Sequence, residues 1–272
     1  MIGVAIIALD RPHYLARLIA SLEQQENAGD VDYHLWQDGV TNEYSGRVVA
    51  DEHNWNAARA AWDRAKLLHK YTHMHIRNLG VGLHQLGAIE WMTFKYDRVM
   101  VCEDDVVLSP HWLRLLGVLF EQFKDHPEVF GFCPGFKRLG LNTAALRYQD
   151  EHWWCEAFTA DAWARARLYY ADYIRIIESV DYINRDNDAI RALFAKRGFE
   201  HLATSQDAGK DMAIHTAGMR RVVCELNRAM GIGKTGLHFT PALFNRLGYD
   251  NQGPLIHAGD EARERFNEPN DA

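Results

Sequence analysis

The chain has 272 residues, 47% hydrophobic and 25% charged, which is enough apolar material for a sizeable core that needs no staples. A formal net charge of -7 excludes the basic footprint that nucleic-acid binding requires. No run approaches the ~20 apolar residues of a membrane span, and the four cysteines, at 102, 133, 155 and 224, form no C-x-x-C pair, which excludes a zinc ribbon or redox motif and favours a reducing compartment.

Taken in order, Val4–Leu9 reads as a first strand rather than a signal peptide, because no basic leader precedes it and Asp10-Arg11-Pro12 stops it. Leu15, Leu18, Ile19 and Leu22 then share one helical face. Tyr33–Trp36 is the second strand and ends in Gln37-Asp38-Gly39. Residues 55–68 carry Trp55, Ala58, Trp62 and Ala65 at helical spacing. A third strand covers Thr72–Ile76, a helix Leu83–Phe94, and a fourth strand ends at residue 103. A helix is expected from Pro110 to about Lys124, with Ser109 as N-cap and Pro at the first helical position. Val129–Cys133 is the fifth strand. This alternation predicts βαβ units and an α/β fold with a mostly parallel sheet flanked by helices.

The second half reads differently. Strands become sparse after Glu151, His152-Trp153-Trp154-Cys155 is either core or a stacking surface for an acceptor, and 173–197 looks helical and peripheral. Asp207 falls at or near the start of a helix that also holds Met212, Ile214 and His215. It is either a cap or a positioned base. Gly231, Gly233 and Gly236 lie near Arg228, Lys234 and His238, describing a loop able to wrap a diphosphate or an ordinary surface loop. The tail after Gly253 is polar and acid-rich.

The most informative stretch is Val99-Met100-Val101-Cys102-Glu103-Asp104-Asp105, followed by Val106-Val107-Leu108. Three adjacent carboxylates bracketed by core residues repel one another unless a positive charge sits among them. Carboxylate oxygens are hard ligands suited to magnesium, manganese or calcium. In parallel sheets ligands bind at the carboxyl ends of strands. Asp10-Arg11, Asp38 and the triplet all fall at such ends, so one crevice should collect them. Gly80-Val81-Gly82 is too short for a dinucleotide fingerprint. Gly231-Ile232-Gly233-Lys234-Thr235 has the ending of a P-loop without its spacing.

Strand-Asp-Arg, strand-Gln-Asp, a helix with His, then Glu-Asp-Asp before an apolar run and Ser-Pro resembles metal-dependent glycosyltransferases of the nucleotide-diphospho-sugar (GT-A) fold. The pattern is similar to the N-acetylglucosaminyltransferase I family, with family-two-like bacterial glycosyltransferases as cousins. The resemblance covers roughly residues 1–250. It implies a single domain over 1–250, with a nucleotide-sugar-binding half at 1–135, an acceptor-binding and catalytic half at 136–250, and a tail at 251–272. It further implies that Arg11, Asp38, His84, Glu103 and Asp104 contact the donor, Asp38 reading uracil. Asp105 would bind Mn²⁺ or Mg²⁺, with His238 closing from the C-terminal loop. Asp207 would be the catalytic base, with Asp211 as rival. The implied reaction moves a sugar, with inversion, from a UDP-sugar to a glycan, glycolipid or protein hydroxyl. A cytoplasmic location without a transmembrane segment is expected. A nucleotidyltransferase and a non-catalytic nucleotide-sugar-binding module remain as alternatives; the first normally carries a glycine-rich basic loop where Asp10-Arg11-Pro12 stands.

Overall fold

Strand β1 (Ile2–Ala8) is apolar on both faces because both faces are covered. Ile2, Val4, Ile6 and Ala8 point into one hydrophobic cluster, and Ala5 and Ile7 into the other. The computed structural model describes residues 1–26, 30–135, 146–149, 155–224, 226–236, 239–252 and 255. The first cluster lies under α1 (Pro12–Glu23), α2 (Glu52–Asp63) and α4 (Trp112–Gln122). The second lies under α3 (Val81–Lys95), α5 (Ala160–Ile177), α6 (Asn187–Lys196) and α7 (Gln206–Thr216).

β2 (Val31–Gln37), β3 (His69–Met74) and β4 (Arg98–Glu103) join β1 in a parallel block ordered β3-β2-β1-β4. Beyond β4 the sheet continues through β8 (Cys155–Thr159), β6 (Val129–Cys133), β9 (Arg220–Cys224) and β7 (Leu146–Gln149). β8 is antiparallel to both neighbours, β6 and β9 are parallel to each other, and β7 is antiparallel at the edge. A separate two-stranded ribbon pairs β5 (Val106–Leu108) with β10 (Ala229–Gly231). The expected α/β class, a mostly parallel sheet flanked by helices, is the observed one.

Three expectations need correction. The third strand starts three residues early and stops at Met74, leaving Ile76 exposed. The helix after the triplet begins at Trp112, not Pro110. Ser109 is already engaged: its N–H donates to the Arg228 carbonyl at 2.8 Å, and its carbonyl accepts from Gln25 Nε2 at 2.6 Å. Strands do thin out in the second half, to β8, β9 and β10 among the described residues, yet β8 sits mid-sheet. Its second residue, Glu156, disguises it as a polar segment because the balancing charges come from distant residues. The 173–197 segment is not peripheral, since Tyr173, Ile177, Ile190 and Phe194 are all buried.

All four cysteines are free and buried. Among the described residues, no helix is long and apolar enough to cross a membrane. The aromatic run at 152–154 and the tail from 256 lie outside the described residues.

Candidate active site

Because β1, β2 and β4 run parallel, their carboxyl ends share one rim, and this brings Arg11, Asp38 and the acidic triplet to the same edge. The triplet is fixed through its backbone. The Asp104 N–H donates to the Ile7 carbonyl at 3.1 Å, and the Asp105 carbonyl accepts from the Ile232 N–H at 2.8 Å. The β5–β10 pairing carries residues 232–236 over the carboxylates. Gly233 lies so near Asp105 that a Cβ there would stand 2.0 Å from Oδ2. Tyr14, on the first turn of α1, pins this loop: its hydroxyl accepts the N–H groups of Lys234 and Thr235 at 3.0 and 3.2 Å.

Arg11 supplies the positive charge among the acids. Its guanidinium forks, Nη1 to Asp105 Oδ2 at 2.7 Å and Nη2 to Asp104 Oδ1. Burial alone would lower the arginine's pKa, but Asp104 and Asp105 outweigh it and hold the group more firmly protonated. Asp104 is 1% exposed and its Oδ2 has no hydrogen-bond partner. Burial pushes the Asp104 carboxyl up to about 6 against the pull of Arg11. Glu103 is raised as well, by burial first and then by the charges of Asp105 and Asp207.

Asp207 is thus within electrostatic reach of Glu103. It stands in the first turn of α7, whose N-cap Ser205 accepts the Ala208 N–H at 3.3 Å, and its side chain is 30% exposed. Lys210, one turn on and buried, is 3.8 Å from Asp207 Oδ1 and donates to Glu156 Oε1 at 3.0 Å. Asp211 occupies a different environment. It is buried, and Arg221 Nη1 lies 2.7 Å from its Oδ1, while Arg221 Nε bonds Glu156 Oε2 at 2.8 Å. Glu156, Asp211, Lys210 and Arg221 thus form a buried set of two acids and two bases, neutral in sum, against which Asp207 projects.

Asp38 and His84 are placed beneath the rim. Both Asp38 oxygens are occupied: Oδ1 accepts the Gly39 and Leu79 N–H groups at 2.9 and 3.0 Å, and Oδ2 accepts Asn78 Nδ2 and the Gly80 N–H at 2.8 and 3.1 Å. Burial against these donors pushes its carboxyl up to about 6. His84 is 2% exposed, with Nε2 at 3.1 Å from the Trp36 carbonyl and Nδ1 at 3.8 Å from Asp38. In this arrangement Asp38 holds the 78–80 turn to the strand end, with His84 packed beside it. His238 lies outside the described residues.

Sequence reasoning missed Tyr14, Glu156, Lys210 and Arg221. Lys210 alone carried a local signal, its i, i+3 spacing from Asp207 on a helix.

The fold that holds this rim is the nucleotide-diphospho-sugar transferase (GT-A) fold. Among solved structures the chain is similar to S. aureus TarS 1–349 in complex with UDP-GlcNAc, with a TM-score of 0.55 and 11% identity over 87% of this chain and 60% of that one. It spans about 60% of the length of that structure. A mannosyltransferase, PcManGT from Pyrobaculum calidifontis, in complex with GDP-Man and Mn²⁺, gives a TM-score of 0.44 at 11% identity, over 80% of this chain and 68% of that one, too low to carry an argument. No protein-family model matches the chain, and no curated protein matches it.

Proposed function

We propose that the chain is a metal-dependent, inverting glycosyltransferase that moves a sugar from a UDP-sugar to an acceptor hydroxyl, of the kind resembled by the N-acetylglucosaminyltransferase I family. The observation that supports the reading is the Arg11 fork onto Asp104 and Asp105 at the carboxyl ends of the parallel strands, with the charge of Asp207 within electrostatic reach of Glu103. The nucleotide-sugar complex of the similar TarS structure agrees with a donor of this class.

The residues present fit a divalent cation. Among the described residues no group of three or more His, Cys, Asp or Glu is arranged to hold one. Asp105 and the unpartnered Oδ2 of buried Asp104 nevertheless offer hard oxygens at the rim. Mg²⁺ and Mn²⁺ sites of this type take one or two carboxylates and complete their shell with substrate phosphates and water. When bound, such a cation would supply Lewis-acid stabilisation to the departing diphosphate.

The chain's own residues do the rest. Arg11 adds a fixed positive charge at the same place, and residues 232–236 cover the phosphates and exclude water. Asp207, partly exposed at the mouth of the crevice, accepts the proton of the attacking hydroxyl. Attack from the Asp207 side with departure on the triplet side is a single displacement and inverts the anomeric centre. Residues 1–135 would seat the donor and 136–250 the acceptor, a glycan, glycolipid or protein.

The test is UDP release from a panel of UDP-sugars, including UDP-GlcNAc, in Mn²⁺. Release is expected from at least one donor, abolished by EDTA and restored by Mn²⁺. Full activity in chelator would remove the metal from the reading. Pyrophosphate release from UTP and a sugar phosphate, with no UDP release, would indicate a nucleotidyltransferase instead.

A further inference from the structure

Arg11 does not simply line the rim. Its guanidinium bridges Asp104 Oδ1 and Asp105 Oδ2, the two carboxylates that a cation would share. Each bond is charge-assisted, and together they occupy one oxygen on each of the two side chains that would hold the metal. The bridge is covered as well as formed. A Cβ at Gly236 would stand 3.2 Å from Arg11 Nη1, so the 232–236 loop runs directly over the guanidinium. The Arg11 guanidinium carbon lies 5.6 Å from the centroid of the Tyr14 ring, and the Tyr14 hydroxyl holds the same loop. Asp104 Oδ2 is buried and has no hydrogen-bond partner.

We propose that Arg11 is a built-in competitor for the divalent cation: it closes the Asp104–Asp105 seat in the resting protein, and the cation enters only as Arg11 is drawn off those carboxylates by another anion. The inference rests on the metal-dependent reading above and adds a coupling to it. A diphosphate is an anion of the required kind, because it offers Arg11 new oxygens while bringing the cation its own ligands. By linkage, whatever Arg11 costs the cation in the free protein is returned when the diphosphate takes Arg11 away. Arg11 is therefore a positioning residue whose effect is read in metal affinity, not only in turnover.

The experiment measures Mn²⁺ binding by electron paramagnetic resonance of free Mn²⁺, with no donor present, for the full chain and for Arg11→Ala and Arg11→Lys. Circular dichroism melts check that each variant folds. Arg11→Ala is expected to bind Mn²⁺ at least ~10-fold more tightly than the wild type, a gain of about 1.4 kcal/mol. Arg11→Lys keeps the charge but cannot fork across two carboxylates, so it is expected to fall between the two. If Arg11→Ala fails to fold, the Arg11→Lys shift alone decides the matter. Equal or weaker Mn²⁺ binding by the folded variants overturns the competitor role. A separate arm adds UDP to the wild type. Mn²⁺ retained there with the variants unchanged sinks this inference and leaves the transferase reading standing, whereas no Mn²⁺ uptake by any protein, with or without UDP, sinks the metal-dependent reading itself.

Discussion

Asp207 and Asp211 sit one helical turn apart on α7, yet their surroundings assign them different work. Asp207 is 30% exposed and 3.8 Å from Lys210, while Asp211 is buried against Arg221 at 2.7 Å. Asp207→Asn should therefore cut turnover by roughly 10²–10⁴-fold, the usual contribution of a general base, with little change in melting temperature. Asp211→Asn should do the reverse. It removes one carboxylate from a buried arginine, and breaking such a pair costs about 3 kcal/mol. Paired melts and donor-turnover assays on the two variants check this; loss of turnover without loss of stability in Asp211→Asn would move the base to Asp211. A second residue-scale prediction concerns His84. Burial lowers its pKa to about 4 from the ordinary value of 6.5. The unfolded chain takes up the proton first, so His84 contributes stability that is fully present above pH 6.5 and is lost as pH falls toward 4. A shift of this size is worth on the order of 3 kcal/mol. Asp38, raised to about 6, acts in the opposite sense, its stabilising effect fading as pH rises from its ordinary 3.8 to about 6. Urea melts of wild type and His84→Gln across pH 4–7 should show a shallower acid loss in the variant.

At the scale of elements, the β5–β10 ribbon is what turns the C-terminal loop into a cover. Ala229, Met230 and Gly231 pair with Leu108, Val107 and Val106, so the loop that follows must cross the triplet. Only glycine fits at 233, because any Cβ meets the Asp105 carboxylate at 2.0 Å. Gly233→Ala should push the loop or the carboxylate aside and weaken UDP–Mn²⁺ binding by about 10-fold, equivalent to about 1.4 kcal/mol. Tyr14→Phe leaves the ring in place but removes the acceptor for two loop N–H groups. It should raise KM for the donor more than it lowers kcat, since the loop opens while Asp207 is untouched. Titration calorimetry on the first variant and steady-state kinetics on the second measure these effects.

For the whole molecule, the crevice is built from segments far apart in the chain. Residues 11, 103–105, 207 and 232–236 meet only in the folded state, so a ligand that bridges them binds that state alone. UDP with Mn²⁺ at about 100 times its Kd should add about 2.7 kcal/mol of stability, raising the melting temperature by several degrees in a scanning fluorimetry trace. EDTA should cancel most of the gain. A rise of equal size with EDTA present would mean that the nucleotide is held without the cation.

The parallel half of the sheet was legible in the chain because its signals are local. Apolar runs stopped by Asp10-Arg11-Pro12, by Gln37-Asp38-Gly39 and by the acidic triplet mark strands and their ends, and parallel strands put those ends on one rim. The triplet was equally legible as a charge problem needing a cation nearby. What tertiary structure decided is which cation stands there and which acids are free. Arg11 reaches Asp104 and Asp105 across more than ninety residues of chain, and Arg221 reaches Asp211 and Glu156 from another strand, so no local window could show either pairing. Strand β8 was hidden for the same reason: a buried glutamate inside a five-residue strand makes sense only once Lys210 and Arg221 are in place to neutralise it. Local pattern sets where the backbone runs, because hydrophobic periodicity and turn chemistry act over a few residues. Charge pairing acts through space, and only the folded chain fixes it.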